Sequence, residues 1–336
     1  MQRRIATVSA ISLTLILLLV AGCGSPPPLG HAKTKPATTA RQSAPKSAPV
    51  APTPAGRPVF VGGAGGVYYR NMVVVLTWHA IAPAGVYDTI SLANFQAQMA
   101  ALAKDGFHPI SAAQFSAFLL QGDAVPVNAV LLTFDNGVED VYTYGFPILE
   151  HYRFPALMFP VLGRTNVLPG YFTSAQIQTM VKSGLVTIGS HTYAQHIGQA
   201  VGPAEAAPAD VLPAWNGTST ESLAQFQASI LEDARLAQAA IVKWTGHAEP
   251  YFSDPFGQYT PTLIQALAKA GFSEDFTTLG WAVVPHAPAD RIPRINVGTG
   301  SSTAASMIGA ILTVARLTAA DPTWHPPASH VIIWHT

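Results

Sequence analysis

Strand-like and helix-like segments alternate along most of this chain, and this alternation restricts the fold more than any other feature of the sequence. Met72 to Trp78 is a continuous apolar, β-branched run, as expected for a strand that is covered on both faces. Similar runs occupy residues 129–134, 156–161, 185–190, 276–278, 292–297 and 331–334. Repeated strand–helix units over roughly 260 residues predict a single α/β domain, a (β/α) barrel of about seven or eight strands.

Capping residues mark where helices are predicted to begin. A longer helix is predicted from about residue 220 to 244, and Gln114 completes a capping box with the serine three positions before it. An Ala- and Pro-rich insertion at 197–219 has no clear periodicity, and a loop of that length is usually functional or disordered. The candidate N-caps are Ser91, Ser111, Ser174 and Thr260.

The first residues have the pattern of an export signal. Arg3 and Arg4 precede an apolar run, Ile11 to Val20, that is too short to span a bilayer comfortably. The sequence that follows, Val-Ala-Gly-Cys at 20–23, resembles the lipobox of bacterial lipoproteins. That resemblance implies a lipoprotein signal peptide at 1–22, a lipid on Cys23 and anchoring to the outer face of the cell membrane. The alternative is a plain signal peptide with an incidental cysteine.

Residues 23–66 are rich in Pro and Ala and are predicted to form a disordered tether, because such a composition buries too little apolar surface to offset its ordering entropy. The folded domain is then expected at 67–336. Cys23 is the only cysteine, so a disulfide within one chain is excluded. Charged residues make up 11% of the chain and the net charge is zero, which gives no indication of nucleic-acid binding.

Polar residues follow three of the predicted strands. His79 follows the first strand, Asp135 and Asn136 end the next, and His191 and His196 follow a third. A carboxylate or amide oxygen with two imidazoles is a ligand set for a catalytic metal that keeps positions open for water and substrate. On a helix the two histidines would lie roughly 140° apart, so we expect them on a turn that leaves a strand.

An ordered set of motifs extends these clusters from about residue 73 to 297. The motifs are "VLTWHAI", "AVLLTFDNGVEDVY", "FPILEHYRFPALMF", "GLVTIGSHTYAQH", "DPFGQYT", "KAGFSEDFTT" and "IPRINVG". With them the chain resembles the polysaccharide deacetylases of carbohydrate esterase family 4, and more narrowly the branch that deacetylates poly-N-acetylglucosamine in biofilms. The resemblance implies a distorted, TIM-like (β/α) barrel of about seven strands.

Carried over to matching positions, the resemblance implies a metal-dependent hydrolase. Asp135 would be the general base that activates a metal-bound water, and His191 and His196 would be metal ligands. The family's second aspartate, also a ligand, is Asn136 here. His79 would be the general acid for the leaving amine. Zinc is the metal expected first, and cobalt, nickel, iron and manganese are alternatives.

Two departures from the family pattern bear on this assignment. Ser253 stands where relatives outside the biofilm branch have an arginine that pairs with the base. As in the biofilm branch, Arg294 is a candidate partner of Asp135, and a surface or barrel-rim arginine is the other interpretation. His335 in "VIIWHT" resembles a late family motif whose histidine is the acid in the other branch, so it competes with His79 for that role.

The expected substrate is an N-acetylglucosamine polymer, with poly-β-1,6-N-acetylglucosamine first and peptidoglycan or chitin-like chains as alternatives. Asn136 offers only a neutral carbonyl oxygen, so metal binding should weaken. A carbohydrate-binding relative with impaired catalysis is therefore a second hypothesis. The residues expected to contact substrate are Phe252, Pro255, Phe256, Gly257 and Trp281.

Overall fold

The computed structural model describes residues 56–86 and 88–335. In chain order its strands are β1 Val59–Phe60, β2 Tyr69–Arg70, β3 Val73–Trp78, β4 Ala80–Ala82, β5 Thr89–Ser91, β6 His108–Pro109, β7 Ala129–Asn136, β8 Ala156–Pro160, β9 Val186–Ile188, β10 Gly198–Gly202, β11 Glu205–Pro208, β12 Tyr251–Ser253, β13 Glu274–Phe276, β14 Ala282–Val283, β15 Ile295–Asn296 and β16 Trp334–His335. Its α-helices are α1 Leu92–Lys104, α2 Ala112–Ser116, α3 Phe146–Tyr152, α4 Ser174–Lys182, α5 Leu223–Thr245, α6 Pro261–Ala270 and α7 Ala304–Ala320.

Seven parallel strands form a closed ring. β3 pairs with β7, β7 with β8, and β8 with β9. A bridge between Ser190 and Phe252 joins the end of β9 to β12, which pairs with β13. A second bridge, Phe276 to Ile292, leads to β15, and β15 returns to β3. The prediction of a (β/α) barrel of about seven strands is confirmed, and the two single bridges are where the barrel is distorted.

Strand alternation divides the core into two clusters. Successive residues of a strand point to opposite faces. Val74 and Leu76 of β3 pack in a cluster with residues of α1, α3 and α7, whereas Val73 and Val75 pack in a second cluster with Phe159 and Phe276. The second set continues along each strand toward polar residues, which places His79 and Asp135 on that same face near the carboxyl ends of the strands.

Most of the predicted helix starts are confirmed. Ser91, Ser111 and Thr260 are N-caps whose side chains accept a backbone N–H. The predicted cap at Ser174 is wrong by one residue, because the Thr173 side chain accepts the N–H of Gln176 and completes a capping box. The long helix also begins slightly later than predicted, at the residue after its cap.

Two predictions about the end of the chain and the insertion are corrected. The apolar run 331–334 was expected to be a barrel strand, but β16 lies in a separate antiparallel sheet, ordered β10-β11-β16. The insertion 197–219 is not a structureless loop, since β10 and β11 form a hairpin within it. The insertion supplies an open strand edge, and the last strand pairs with that edge instead of with the barrel.

The predicted boundary of the tether is also corrected. Val59 and Phe60 pair with β2, and the side-chain amide of Asn128 donates to the carbonyl oxygen of Gly66 at 2.8 Å. The folded domain therefore begins before residue 67. The signal peptide, Cys23 and the rest of the tether lie outside the described residues. Within 56–86 and 88–335, no helix combines the length and the apolar character that crossing a membrane requires.

Candidate active site

The polar residues that follow the barrel strands line one cavity of about 320 Å³. Asp135 and Asn136 end β7 beside Phe159 and Pro160 of β8, and His79 directly follows β3. The cavity is lined by His79, Asp88, Asp135, Asn136, His191, His196, Asp254, Phe256, Gly257, Thr278 and Asn296. The three clusters, which stand at residues 79, 135–136 and 191–196 of the sequence, therefore meet in one place.

Arg294 and Asp135 form a buried ion pair at the base of this site. Arg294 Nη1 donates to Asp135 Oδ1 and Nη2 donates to Oδ2, each at 2.8 Å. Ser253 Oγ lies between them: it accepts from Arg294 Nη2 at 2.8 Å and donates to Asp135 Oδ2 at 3.1 Å. Arg294 is therefore the partner of Asp135 and not a surface or barrel-rim arginine. Ser253 forms hydrogen bonds with both side chains.

This pairing sets the charge of Asp135. Burial opposes ionisation of the carboxyl, but the positive charge and hydrogen bonds of Arg294, with a further contribution from His191, hold its pKa well below its usual range. Asp135 is therefore ionised at neutral pH and can accept a proton. Because its two oxygens are held by Arg294 and Ser253, its orientation toward the cavity is fixed.

His79 lies between two carboxylates. Its Nε2 is 4.0 Å from Asp135 Oδ2, and its Nδ1 is 3.4 Å from Asp88 Oδ1. The side chain of Asp88 is 40% exposed, and it also accepts from the side-chain amide of Asn296 at 3.1 Å. Asp88 could not be identified as a site residue from the sequence, because its position depends on contacts with distant parts of the chain such as Asn296.

His191 and His196 lie side by side, with ring centroids 4.5 Å apart. His191 Nδ1 is 2.7 Å from the carbonyl oxygen of Ser253, so this nitrogen carries the proton and Nε2 keeps its lone pair. Burial, with the neighbouring His196, lowers the pKa of His191 to about 3. Burial and then the charge of Arg164 lower the pKa of His196 to about 4. Both rings are therefore neutral at neutral pH, as metal ligation requires.

Asn136 provides a third possible ligand. It has a left-handed backbone conformation with φ 69°, which asparagine adopts more readily than most residues. Its Oδ1 is buried and has no hydrogen-bond partner among the described residues. A buried acceptor of this kind is normally satisfied by some group. The described residues contain no cluster of three His, Cys, Asp or Glu side chains suited to a metal, but this amide oxygen with two neutral imidazoles fits a divalent cation.

The turn after β12 forms one wall of the cavity. Phe256 has a left-handed conformation with φ 57°, and its ring stacks on His196 with centroids 4.8 Å apart. Gly257 also has a positive φ, 70°, and a Cβ there would collide with the side chain of Thr278. Pro255 is buried within the turn and does not itself line the cavity.

Three predicted site residues lie elsewhere. Phe252 is 1% exposed and packs against Phe272 in the core, because it lies on a barrel strand and not in the loop. Trp281 packs against Trp324 with tilted rings whose centroids are 4.5 Å apart, and it is not among the cavity residues. His335 is on the exposed side sheet and does not line the cavity, so the structure does not place it as a competitor of His79.

Comparisons with known proteins show which proteins this chain resembles. Residues 122–274 match the family model described as polysaccharide deacetylase. Over 254 residues the chain is 28% identical to the poly-β-1,6-N-acetyl-D-glucosamine N-deacetylase of Escherichia coli K12, covering 69% of this chain and 38% of that protein. The chain thus spans about two fifths of that relative's length. The enzyme of the same name from Staphylococcus epidermidis is 27% identical, over 51% of this chain and 55% of its own.

Solved structures give the same fold. The de-N-acetylase from Aggregatibacter actinomycetemcomitans superposes with a TM-score of 0.65 at 23% identity, over 71% of this chain and 99% of that one. IcaB from Ammonifex degensii superposes with a TM-score of 0.59 at 25% identity, over 73% of this chain and 97% of that one.

Proposed function

We infer that this chain, whose residues 122–274 match the polysaccharide deacetylase family model, hydrolyses the acetamide C–N bond of N-acetylglucosamine in an extracellular polysaccharide. The observation that carries the proposal is the placement of an ionised Asp135, fixed by Arg294 at 2.8 Å, with His79 4.0 Å away in one cavity. This arrangement places a base and an acid next to each other at the cavity, as hydrolysis of an amide requires.

The proton transfers can be assigned to these side chains. Asp135 takes a proton from water, and the water oxygen forms a bond with the acetamide carbonyl carbon. As the C–N bond breaks, His79 Nε2 gives a proton to the departing nitrogen. The products are acetate and a free amine on the sugar. Asp88 Oδ1 lies 3.4 Å from Nδ1 of His79 without forming a hydrogen bond to it, and Nε2 is the nitrogen that faces Asp135.

Asn136, His191 and His196 are the residues that would hold the divalent cation. When bound there, the cation would polarise the acetamide carbonyl and lower the pKa of water. The neutral amide of Asn136 attracts a cation less than a carboxylate does, so we propose a site that binds metal more weakly than one with aspartate. Zinc is the first choice, and cobalt, nickel, iron and manganese suit the same nitrogen and oxygen ligands.

We propose poly-β-1,6-N-acetylglucosamine as the polymer, because the relatives from Escherichia coli and Staphylococcus epidermidis are named for it. The enzyme would act at the outer face of the cell membrane, held there by a lipid on Cys23. Mass spectrometry of membrane-extracted protein tests this anchor. A mature N-terminus other than a lipid-modified Cys23 would contradict it.

The function is tested by measuring acetate release from three substrates: β-1,6-linked N-acetylglucosamine oligomers, chitin oligomers and peptidoglycan fragments. We expect the β-1,6-linked oligomers to be the preferred substrate, and no release by the Asp135→Asn variant. A preference for chitin oligomers or peptidoglycan fragments would support the deacetylation reaction but contradict the proposed substrate. Saturable oligomer binding without acetate release, with metal supplied, would instead indicate a carbohydrate-binding relative that lacks catalysis.

A further inference from the structure

An aromatic surface extends from the cavity onto the side sheet formed by β10, β11 and β16. Phe256 lines the cavity, is 46% exposed, and contacts the indole of Trp334 edge to face with ring centroids 5.1 Å apart. The Phe256 ring also stacks on His196, with ring centroids 4.8 Å apart. The two aromatic rings therefore connect a proposed metal ligand to a strand outside the barrel.

The backbone around Trp334 fixes its position. β16 pairs with β11, with Trp334 opposite Ala206. Its indole also lies against Gly198 of β10, where a Cβ would come within 2.8 Å of the ring. Only glycine leaves room for the ring there without displacement, so Gly198 lets the indole lie close against the hairpin.

The last segment of the chain is also joined to the turn that carries Phe256. Tyr259 and His330 exchange two backbone hydrogen bonds, at 2.9 and 3.0 Å, and Gln258 Oε1 accepts the N–H of Ile332 at 2.6 Å. These contacts begin one residue after Gly257, so the orientation of Phe256 and that of Trp334 depend on the same hydrogen bonds. The two rings form a preorganised unit.

Apolar side chains are exposed in the segments that hold the pair. Ile332 is 50% exposed and Ile333 43%, both close to Trp334 along the chain, and Ile197, next to Gly198, is 52% exposed. A pyranose ring presents an apolar face of C–H groups and polar edges, which suits a half-buried aromatic ring with solvent at its rim.

We propose that Trp334, held edge to face against Phe256, forms a stacking platform for a sugar ring of the polymer next to the ring whose acetamide occupies the cavity. The platform rests on the proposed function and makes Trp334 a residue that determines specificity for polymers over single sugars. It does not touch the reacting atoms. Its loss should therefore weaken binding of oligomers without changing the rate at saturation.

The first test compares Trp334→Leu and Trp334→Phe in the full chain. With a β-1,6-linked N-acetylglucosamine oligomer, Trp334→Leu is expected to raise KM about 2- to 10-fold with kcat unchanged, the range for one aromatic contact. Trp334→Phe should restore most of the affinity because it keeps a flat ring. Turnover of an aryl acetate, which has no second sugar, should be unchanged in both, and this also checks that the variants are folded.

Trp244→Leu is the matched control, since Trp244 is a half-buried tryptophan on α5 that does not line the cavity. An oligomer KM that Trp334→Leu leaves unchanged, or that Trp244→Leu raises equally, overturns the platform. So does an equal loss of aryl acetate turnover, which would mean that Trp334 only supports the fold.

Binding without turnover separates the platform from the proposed function. Calorimetry with the Asp135→Asn chain measures oligomer affinity directly, and adding Trp334→Leu should weaken it by the same 2- to 10-fold factor. Acetate release by the unmodified chain together with unchanged affinity would contradict the platform alone. Absence of both acetate release and oligomer binding in the unmodified chain would contradict the proposed function and the platform with it.

Discussion

Arg294 donates a hydrogen bond to each carboxylate oxygen of Asp135, with both N–O distances at 2.8 Å and both side chains almost fully buried. Breaking a buried pair by removing one partner typically costs about 3–5 kcal/mol, because the other charge is left uncompensated. Arg294→Met should therefore lower the free energy of unfolding by about that amount. Arg291→Met is the control, since Arg291 pairs with Asp290, whose side chain is partly exposed. Chemical denaturation measures both.

The same substitution should change the pH dependence of turnover. Arg294 is the main group that lowers the pKa of Asp135, so without it burial raises that pKa. The base would then be protonated at pH values where the native enzyme still has it ionised. We expect the acidic limb of kcat/KM to move to higher pH in Arg294→Met. An acidic limb that stays in place would show that a group other than Asp135 controls it.

The two candidate acids can be separated by variants. His79→Asn should lower kcat for the oligomer by about 10²- to 10⁴-fold, the usual contribution of a general acid. Turnover of an aryl acetate should fall much less, because its phenolate leaves without a proton. His335→Ala should change neither rate, since His335 lies on the exposed side sheet. The reverse pattern would assign the acid to His335.

Asn136→Asp tests the weakened metal ligand. Adding a negative oxygen where the structure has a buried amide oxygen without a partner among the described residues should tighten metal binding on the order of tenfold to a hundredfold. Competition with a chelator measures the dissociation constant. Asn166→Asp is a matched control, because Asn166 also has a left-handed φ, 62°, and does not line the cavity. The substitution adds the same negative charge at a position outside the site. Equal affinities in Asn136→Asp and the native protein would remove Asn136 from the ligand set.

The buried carboxyl group of Glu274 should make the stability of the protein depend on pH, independently of the groups in the cavity. Burial raises its pKa from 4.5 to about 7, although Ser116 donates to its oxygens at 2.8 and 2.9 Å. Between these two pH values the folded protein binds more protons than the unfolded chain, so stability falls as the pH rises. Glu274→Gln should remove this loss and raise the melting temperature relative to the native protein at pH 8 but not at pH 4.

The control for this measurement is Glu150→Gln, an exposed glutamate on α3. It should leave the difference in melting temperature between pH 4 and pH 8 as it is in the native protein. If Glu274→Gln also leaves that difference unchanged, Glu274 does not titrate in this range in the folded state.

The barrel could be predicted from sequence because its signal is local. Continuous β-branched runs such as Val73–Trp78 and caps such as Ser91 depend on neighbouring residues alone. The meeting of His79, Asp135 and the two histidines could also be anticipated, because parallel strands all end at one side of a barrel.

Features that depend on pairing between distant segments could not be predicted. The run before His335 is as apolar as a barrel strand, and nothing in it identifies the hairpin edge of β11 as its partner. Phe252 and Phe256 lie close together in the sequence, yet one is 1% and the other 46% exposed, because Phe252 is on β12 and Phe256 is in the turn that follows it. Asp88 reaches His79 only through the folded arrangement of its loop.

The most direct test of the account is acetate release by chelated protein from a β-1,6-linked N-acetylglucosamine oligomer as zinc or cobalt is added back, measured beside Asp135→Asn. We predict release that rises with the metal, saturates, and is absent in Asp135→Asn. No release at any metal concentration, from protein whose fold is intact by circular dichroism, would contradict the proposed deacetylase.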